Sequence, residues 1–310
     1  MSPDTSGHPT HSRGAKPFAG IFTPIVTPFR RDDTVDDDAL NSNVAHWMTT
    51  PLTGLVVLGS NGEAAQLDEA ESDRIIDIVR QGVPLGRTLI AGTGRESTRA
   101  TISATVRAAA AGVDAVLVRT PSFFKAQMTS EIFVSHYSRI ADASPVPVLL
   151  YNVTMFTGVT LQPDAVERLA QHPNIVGLKD SGSDIGLIAE YVARTPDDFT
   201  VLAGSATTLV HALCAGCDGA ILALASLVPD ACVEMLALVR ERRLDEARAL
   251  QRDLMPLAKS VGGTYGVAGL KAALDLLGLR GGLPRPPLQP ASPHIVDIIR
   301  GQLDALAVKV

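Results

Sequence analysis

The chain has 310 residues, a formal charge of −6 and 46% hydrophobic residues, a composition typical of a soluble globular protein. The mildly acidic charge and the lack of a long basic run argue against nucleic acid or an anionic membrane as a partner. No apolar segment reaches the roughly 18 residues of a membrane-spanning helix. The first 17 residues lack the apolar core of a secretory signal, and we expect them to form a disordered tail.

Eight short apolar runs recur along the chain. They are continuous rather than alternating, as expected of parallel strands that are covered on both faces. The predicted strands span residues 20–27, 54–58, 88–92, 115–118, 148–151, 175–179, 200–203 and 219–222. Helix-period segments follow the first seven, at residues 36–48, 68–81, 98–111, 130–143, 162–171, 185–194 and 207–215. Consecutive βα units predict an α/β fold, a closed (β/α)₈ TIM barrel, with an open doubly wound sheet as the alternative.

Further helix-period segments follow the last predicted strand, at residues 230–240, 244–259, 267–277 and 292–306. They exceed what one barrel unit requires. We therefore assign residues 1–17 to the tail, residues 18–228 to the barrel and residues 229–310 to a C-terminal helical extension. A Pro-rich loop at residues 281–290 interrupts the extension.

The three cysteines, Cys214, Cys217 and Cys232, are typical of a protein in the reducing cytoplasm. Cys214 and Cys217 form a C-x-x-C pair, but neither a helix N-terminus nor a second ligand pair accompanies them. We therefore interpret both as small apolar side chains in the core. The seven histidines show no metal-binding spacing, so the sequence predicts no metal site and no cofactor.

In a barrel, functional residues lie at the carboxyl ends of the strands and in the loops that follow. The sixth predicted strand ends on Lys179, the only one of six lysines in a strand-like run. Burial beside apolar walls disfavours the ammonium form of a lysine, and a free amine in a pocket attacks ketones to form a Schiff base. The pattern also allows a simpler role, in which Lys179 pairs with Asp180 at the edge of a loop.

Two other strand ends carry polar groups that fit this chemistry. Tyr151 ends the fifth strand and can pass a proton to and from a substrate oxygen. Considered without the other residues, Tyr151 is interpreted equally well as an aromatic residue at the barrel rim. After the second strand, Gly59 and Gly62 flank Ser60 and Asn61, and such a turn exposes N–H groups that could hold a carboxylate. An ordinary turn is the alternative.

Three motifs, in this order, resemble those of the pyruvate-dependent class I aldolases and lyases, the family of dihydrodipicolinate synthase and N-acetylneuraminate lyase. They are GSNGE at residues 59–63, YNVTMFTG at residues 151–158 and GLKDSG at residues 177–182. The resemblance extends from about residue 18 to the C-terminal helices. It implies that Lys179 forms the Schiff base and that Tyr151 transfers protons.

Within the family, the chain looks most similar to 4-hydroxy-2-oxoglutarate aldolase, through segments such as AGTGREST and VLAGSA. The resemblance implies that Ser60 and Asn61 bind the carboxylate of pyruvate. It also suggests that Ser181 and Gly182 lie near the distal end of the substrate. A homotetramer is implied as well, built as a dimer of dimers with the loop around Phe123 near the tight contact.

Two regions depart from the family pattern. Phe156 stands where dihydrodipicolinate synthases carry an arginine that holds the second substrate's carboxylate. Ser122, Phe123 and Phe124 replace a tyrosine pair that is lent across a subunit contact, and phenylalanine cannot relay a proton. These departures argue against lysine biosynthesis. We expect the three phenylalanines, together with Met155, to make the distal pocket more apolar.

The leading hypothesis is therefore a class I lyase that cleaves or forms 4-hydroxy-2-oxo acids from pyruvate and an aldehyde, with glyoxylate as the first candidate. Lys179 would attack C2 of the keto acid, and the iminium would stabilise the developing carbanion without a metal. The alternative is a dihydrodipicolinate synthase-like enzyme, or a dehydratase or lyase of 2-keto-3-deoxy sugar acids, with the same lysine. A third hypothesis is a non-catalytic small-molecule binder on the same scaffold.

Overall fold

The computed structural model describes residues 16–307, so the predicted tail lies almost wholly outside the described residues. Eight parallel strands close into a barrel in which β1 pairs with β8. The strands are β1 (Gly20–Pro24), β2 (Gly54–Val57), β3 (Thr88–Gly92), β4 (Ala115–Arg119), β5 (Val148–Asn152), β6 (Ile175–Asp180), β7 (Thr200–Ala203) and β8 (Gly219–Ile221). The predicted (β/α)₈ TIM barrel is confirmed, and the open sheet is excluded.

Helices connect the strands on the outside of the barrel. They are α1 (Asp37–Trp47), α2 (Glu69–Gly82), α3 (Thr98–Ala110), α4 (Ser130–Ala143), α5 (Thr154–Thr157), α6 (Pro163–Leu169), α7 (Ile185–Arg194), α8 (Leu209–Cys214) and α9 (Pro229–Arg240). Helix α5 was not predicted, because a single turn is too short for helical periodicity to be recognised. Helix α9 contacts α8 and β1, so it occupies the position of the eighth barrel helix. The domain boundaries predicted from the sequence had grouped it with the extension.

The strands are continuous apolar runs because an apolar layer covers each face of the sheet, one inside the barrel and one between the sheet and the helices. Successive residues of a strand face opposite sides of the sheet. Leu149 therefore packs inside the barrel with Phe22 and Leu202, whereas its neighbour Leu150 packs in the layer between the sheet and the helices. Both layers exclude water, so neither face of the strand needs polar residues.

Closure of the barrel depends on glycine at the seam between β1 and β8. Gly20 pairs with Gly219 across that seam. A Cβ added to Gly219 would lie 2.0 Å from the carbonyl oxygen of Gly20, which is closer than atoms can approach. Glycine lets the two backbones meet at this first pair, and the next two pairs, Ile21 with Ala220 and Phe22 with Ile221, carry side chains.

The rest of the chain forms the extension, with helices α10 (Leu244–Lys259), α11 (Gly266–Leu276) and α12 (Pro293–Ala307). Helix α10 contacts the turn after β7, and the π-helical turn Ser260–Thr264 contacts the turn after β8. The extension thus packs beside the carboxyl ends of two strands. The predicted domain boundaries stay predictions. Across residues 16–307, each helix is either too short or too polar to cross a membrane.

Candidate active site

The six residues predicted to form the site line one cavity at the carboxyl ends of the strands. Its volume is about 900 Å³, within the usual range for pockets that bind small molecules. The predicted residues on its wall are Ser60, Asn61, Tyr151, Lys179, Ser181 and Gly182. The fold therefore brings together groups that follow three different strands.

Lys179 and Tyr151 lie side by side on adjacent strands. β5 and β6 pair in parallel with Tyr151 opposite Lys179, and each residue is only 5% exposed. Nζ of Lys179 lies 4.3 Å from the centre of the Tyr151 ring, within the range of a cation–π interaction. A buried amine beside a phenol is a suitable pair for Schiff-base formation with proton transfer.

Polar groups surround the hydroxyl of Tyr151, which shares a hydrogen bond of 3.4 Å with Oγ of Ser60. Burial by itself raises the pKa of Tyr151, and the charge of Lys179 opposes that shift. Hydrogen bonds with Ser60, Ser181 and Lys179 act in the same direction as the charge, so the pKa of Tyr151 lies below its ordinary value. A phenol with a lowered pKa exchanges a proton more readily near neutral pH.

The GSNGE segment forms a tight turn shortly after β2. Ser60–Gly62 is one turn of 3₁₀ helix, and the N–H of Glu63 closes it by donating to the carbonyl oxygen of Ser60 at 3.1 Å. The hydroxyl of Thr27 donates to the carbonyl oxygen of the last residue of the turn at 2.8 Å. Ser60 and Asn61 face the cavity, where a hydroxyl and an amide side chain suit a carboxylate ligand.

Asp180 holds the loop that follows β6. Its buried carboxylate accepts hydrogen bonds from Nδ2 of Asn152 at 2.6 Å and from the N–H of Gly182 at 2.7 Å. The N–H of Ser181 donates to the carbonyl oxygen of Asn152 at 2.9 Å. Burial raises the pKa of Asp180 despite these bonds. Asp180 therefore fixes Gly182, and Asn152 fixes Ser181, at the cavity wall, so Asp180 has a different role from the pairing with Lys179 considered above.

Part of the cavity wall comes from the extension and was not predicted. Residues 261–268, which begin in the π-helical turn, line the cavity together with Leu288 and Gln289 of the Pro-rich loop. Sequence reasoning considered only strand ends, and a strand-end search cannot find a segment that reaches the site from outside the barrel. The glycine-rich break GGTYG between two helices was the available signal.

The apolar residues expected in the distal pocket separate into two pairs. Met155 and Phe156, in α5, line the cavity. Phe123 and Phe124 lie outside its wall, with 79% and 64% of their surface exposed, and their rings meet edge to face with centres 5.1 Å apart. Within one chain, the expectation was therefore wrong for Phe123 and Phe124, because neither ring lies on the cavity wall.

The other candidate features lie apart from this cavity. Residues 16–307 contain no group of three or more His, Cys, Asp or Glu side chains that could hold a metal ion. Cys217 and Cys232 are buried, and burial raises the pKa of each thiol to about 12. Cys214 is exposed, so the interpretation of the C-x-x-C pair as core side chains was wrong for its first member.

Comparison with known proteins agrees with this geometry. The dihydrodipicolinate synthetase family model matches residues 17–305. A 4-hydroxy-tetrahydrodipicolinate synthase of Methanopyrus kandleri is 32% identical over 93% of this chain and 96% of its own. A probable mitochondrial 4-hydroxy-2-oxoglutarate aldolase of Emericella nidulans is 35% identical over 86% of this chain and 88% of its own.

Solved structures give the same assignment. A dihydrodipicolinate synthase of Thermotoga maritima superposes with a TM-score of 0.89 at 31% identity, covering 94% of this chain and 99% of that one. The similarity spans the barrel and the extension together. The chain belongs to the dihydrodipicolinate synthetase family and is a lyase of the pyruvate-dependent class I aldolase type.

Proposed function

We propose that this enzyme cleaves or forms 4-hydroxy-2-oxo acids through a Schiff base on Lys179, with pyruvate and an aldehyde such as glyoxylate as the smaller partners. The observation that carries the proposal is the buried Lys179 amine, 4.3 Å from the Tyr151 ring, on the wall of a cavity of about 900 Å³. A nucleophile and a proton-transfer group within one pocket suit covalent catalysis on a carbonyl.

In this mechanism, the turn after β2 binds the common end of the substrate. The Ser60 hydroxyl and the Asn61 amide hold the carboxylate of the 2-oxo acid, which presents C2 to Nζ of Lys179. Attack on C2 gives a carbinolamine. Tyr151 then donates its proton to the departing hydroxyl, which leaves as water, and a positively charged iminium and a phenolate remain.

The positively charged iminium and the Tyr151 phenolate together bring about bond cleavage. The Tyr151 phenolate takes the proton of the C4 hydroxyl, the C3–C4 bond breaks, and the aldehyde departs. The bonding electrons flow to the iminium nitrogen and form a neutral enamine, so the positive charge of the Schiff base stabilises the developing carbanion. Protonation at C3 and hydrolysis release pyruvate and restore the Lys179 amine. The condensation direction uses the same steps in reverse.

The distal part of the cavity selects the aldehyde in this proposal. Ser181 and Gly182 lie on one part of its wall, and Met155 and Phe156 lie on another. Met155 and Phe156 are 61% and 64% exposed and carry no hydrogen-bond donor, so they offer a carboxylate at the far end of the aldehyde no partner. We therefore propose a preference for aldehydes with small or apolar tails, and we expect glyoxylate, whose carboxylate finds no partner on that wall, to be a poorer substrate of the same reaction.

A second candidate uses the same lysine for a condensation like that of the relatives named 4-hydroxy-tetrahydrodipicolinate synthase. Their similarity over nearly the whole chain favours it. The replacement of the family arginine by Phe156 opposes it. A dehydratase of 2-keto-3-deoxy sugar acids would use the same lysine but would expel a hydroxyl without cutting a carbon–carbon bond.

Product analysis distinguishes these reactions. The enzyme would be incubated with a 4-hydroxy-2-oxo acid, with a 2-keto-3-deoxy sugar acid, and with pyruvate plus glyoxylate, an apolar aldehyde or the aldehyde substrate of the synthases. We expect pyruvate from the first substrate and a 4-hydroxy-2-oxo acid from the condensations. A longer oxo acid without pyruvate would indicate the dehydratase, and efficient turnover of the synthase pair alone would reject the aldolase.

The matched variant for the distal pocket is Phe156→Arg. A guanidinium at this place would pair with a carboxylate on the aldehyde. We expect it to shift the ratio of kcat/KM values about tenfold toward carboxylate-bearing aldehydes. A strong preference of the wild-type enzyme for dicarboxylate products would sink the proposal of an apolar distal pocket.

We also propose that the chain works as a homotetramer. The exposed Phe123 and Phe124 support an interface at the loop after β4, because two neighbouring aromatic rings in water are rarely left uncovered. The family resemblance is the basis for four subunits rather than two.

A further inference from the structure

A buried ion pair lies directly behind the turn that faces the substrate. Nζ of Lys271, on α11, is 2.5 Å from Oε1 of Glu63, and each side chain is only 1% exposed. Neither residue lines the cavity. The proposed chemistry uses neither of them, and nothing in the motif predicts a partner from the extension. Burying two charges is costly, and the cost is offset only where both groups are well paired and fixed in place.

Glu63 is held in a backbone conformation that a residue with a side chain rarely adopts. Its φ of 54° and ψ of 34° are left-handed, and it lies at the junction between the 3₁₀ turns Ser60–Gly62 and Ala64–Gln66. Strained backbone of this kind persists only when its surroundings fix it. The side-chain contacts of Glu63 therefore hold the backbone that closes the Ser60–Gly62 turn.

The carboxylate of Glu63 is fixed entirely by the extension. Oε2 accepts a hydrogen bond from the N–H of Arg285 at 2.8 Å. No aligned hydrogen-bond donor in residues 16–307 reaches Oε1, so the charge of Lys271 compensates that oxygen. Loss of Lys271 would leave a buried carboxylate unpaired behind the turn.

Lys271 reaches the turn by a second route. Its Nζ donates to the carbonyl oxygens of Thr27 and Leu283, each at 2.7 Å, and lies 4.7 Å from the centre of the Phe29 ring. The hydroxyl of Thr27 in turn donates to the carbonyl oxygen of Gly62 at 2.8 Å. The Lys271 ammonium group therefore supports the turn at two places: directly at Glu63, and at Gly62 through Thr27.

We propose that Glu63 and Lys271 are positioning residues that hold Ser60 and Asn61 in place for the carboxylate of the 2-oxo acid. The extension is thereby part of the substrate-binding machinery. The inference rests on the proposed function, because it assigns the carboxylate to that turn. The predicted consequence is a loss of affinity for pyruvate without a loss of the lysine chemistry.

The test measures borohydride trapping of pyruvate as a function of pyruvate concentration. This assay reports the half-saturating concentration and the maximal trapping rate separately, and it needs no aldehyde. The variants are Glu63→Gln, Lys271→Met, the double variant and the milder Thr27→Val. The double variant lacks both charges, so it leaves no unpaired buried ion and should be destabilised less than either of the single charge variants.

A control exists at the opposite end of the barrel. Lys16 pairs with Asp218 at 3.0 Å, with side-chain exposures of 6% and 13%, and also donates to the carbonyl oxygen of Phe199 at 2.7 Å. Phe199 and Asp218 each precede a strand, so this pair lies at the amino ends of β7 and β8. Lys16→Met removes a comparable buried charge without touching the turn.

We expect the Glu63 and Lys271 variants, including the double variant, to raise the half-saturating pyruvate concentration about tenfold at an unchanged maximal rate. Thr27→Val should raise the half-saturating concentration less. Lys16→Met should lower the Tm but leave the half-saturating concentration unchanged. Unchanged affinity in the folded double variant and in Thr27→Val would overturn the inference while wild-type trapping upholds the proposed function. Absence of trapping in the wild type would overturn both.

Discussion

Tyr151 experiences opposed influences on its acidity, and their balance supports its role in the proposed reaction. Burial favours the neutral phenol, whereas the charge of Lys179 and hydrogen bonds from its neighbours favour the phenolate, and the pKa falls below its usual range. The group must be a phenol when water leaves and a phenolate when the C4 hydroxyl loses its proton. A lowered pKa makes both states accessible during one turnover.

Replacing Tyr151 with phenylalanine tests this role. The ring would still pack beside Lys179, so the amine should remain in place and pyruvate should still be trapped, but more slowly, because Tyr151 also protonates the departing hydroxyl when the Schiff base forms. Loss of the proton carrier should lower kcat by about 10²–10³-fold. Single-turnover kinetics beside borohydride trapping separate the two effects. Failure of the folded variant to form any pyruvate adduct, even after long incubation, would assign Tyr151 to the structure of the pocket instead.

At the scale of elements, sequence reasoning predicted the strands better than the walls of the site. Lys179 and Tyr151 could be found because each ends an apolar run, and strand ends meet at one face of a barrel. The π-helical turn Ser260–Thr264 could not, because its place over the cavity depends on how α10 packs on the barrel. Likewise, the contact between Glu63 and Lys271 has no local sequence signal.

The packing of α3 against α4 predicts a pH dependence of stability. His136 on α4 is 5% exposed, and its Nδ1 shares a hydrogen bond of 2.8 Å with Oγ1 of Thr98 on α3. Burial, with the charge of Arg139, lowers the pKa of His136 from 6.5 to about 4, and Glu96 opposes this only weakly. The folded protein therefore keeps this imidazole neutral where the unfolded chain protonates it.

The sign of the effect follows from that difference. Between pH 6.5 and about 4 the unfolded state binds the extra proton, so the contribution of His136 to the free energy of unfolding falls with falling pH and is constant below that window. The contribution is of the order of 3 kcal/mol. Urea denaturation of the wild type and His136→Gln across this range should give a shallower slope for the variant. Parallel curves for the two proteins would contradict the assignment.

At the scale of the whole molecule, the two exposed aromatic rings in the loop after β4 are the observation behind the proposed tetramer. Phe123 and Phe124 are held outward by Glu96, whose carboxylate accepts the N–H groups of Ser122 and Phe123 at 2.9 Å each. An apolar tip on a loop that is fixed in place is suited to contact with a second copy of the chain. The family resemblance suggested this contact from the sequence, and the exposed rings are the structural observation that supports it.

Sedimentation measures the assembly directly. The wild-type protein should have a mass about four times that of the 32.6 kDa chain. Changing Phe123 and Phe124 together to serine should shift it to smaller species, since the buried apolar area of the contact is lost. Leu85→Ser is the matched control, because Leu85 is fully exposed in the loop before β3. A wild-type monomer would contradict the proposed tetramer.

The central claim is that Lys179 is the nucleophile, and trapping with pyruvate and borohydride followed by peptide mass mapping tests it most directly. The account predicts a reduced pyruvate adduct on the peptide that contains Lys179. It also predicts no adduct and about 10⁴-fold lower turnover in Lys179→Ala, with the adduct retained in Lys259→Ala, the other lysine on the cavity wall. An adduct elsewhere, no adduct on the folded wild type, or near-normal turnover in Lys179→Ala would contradict the claim.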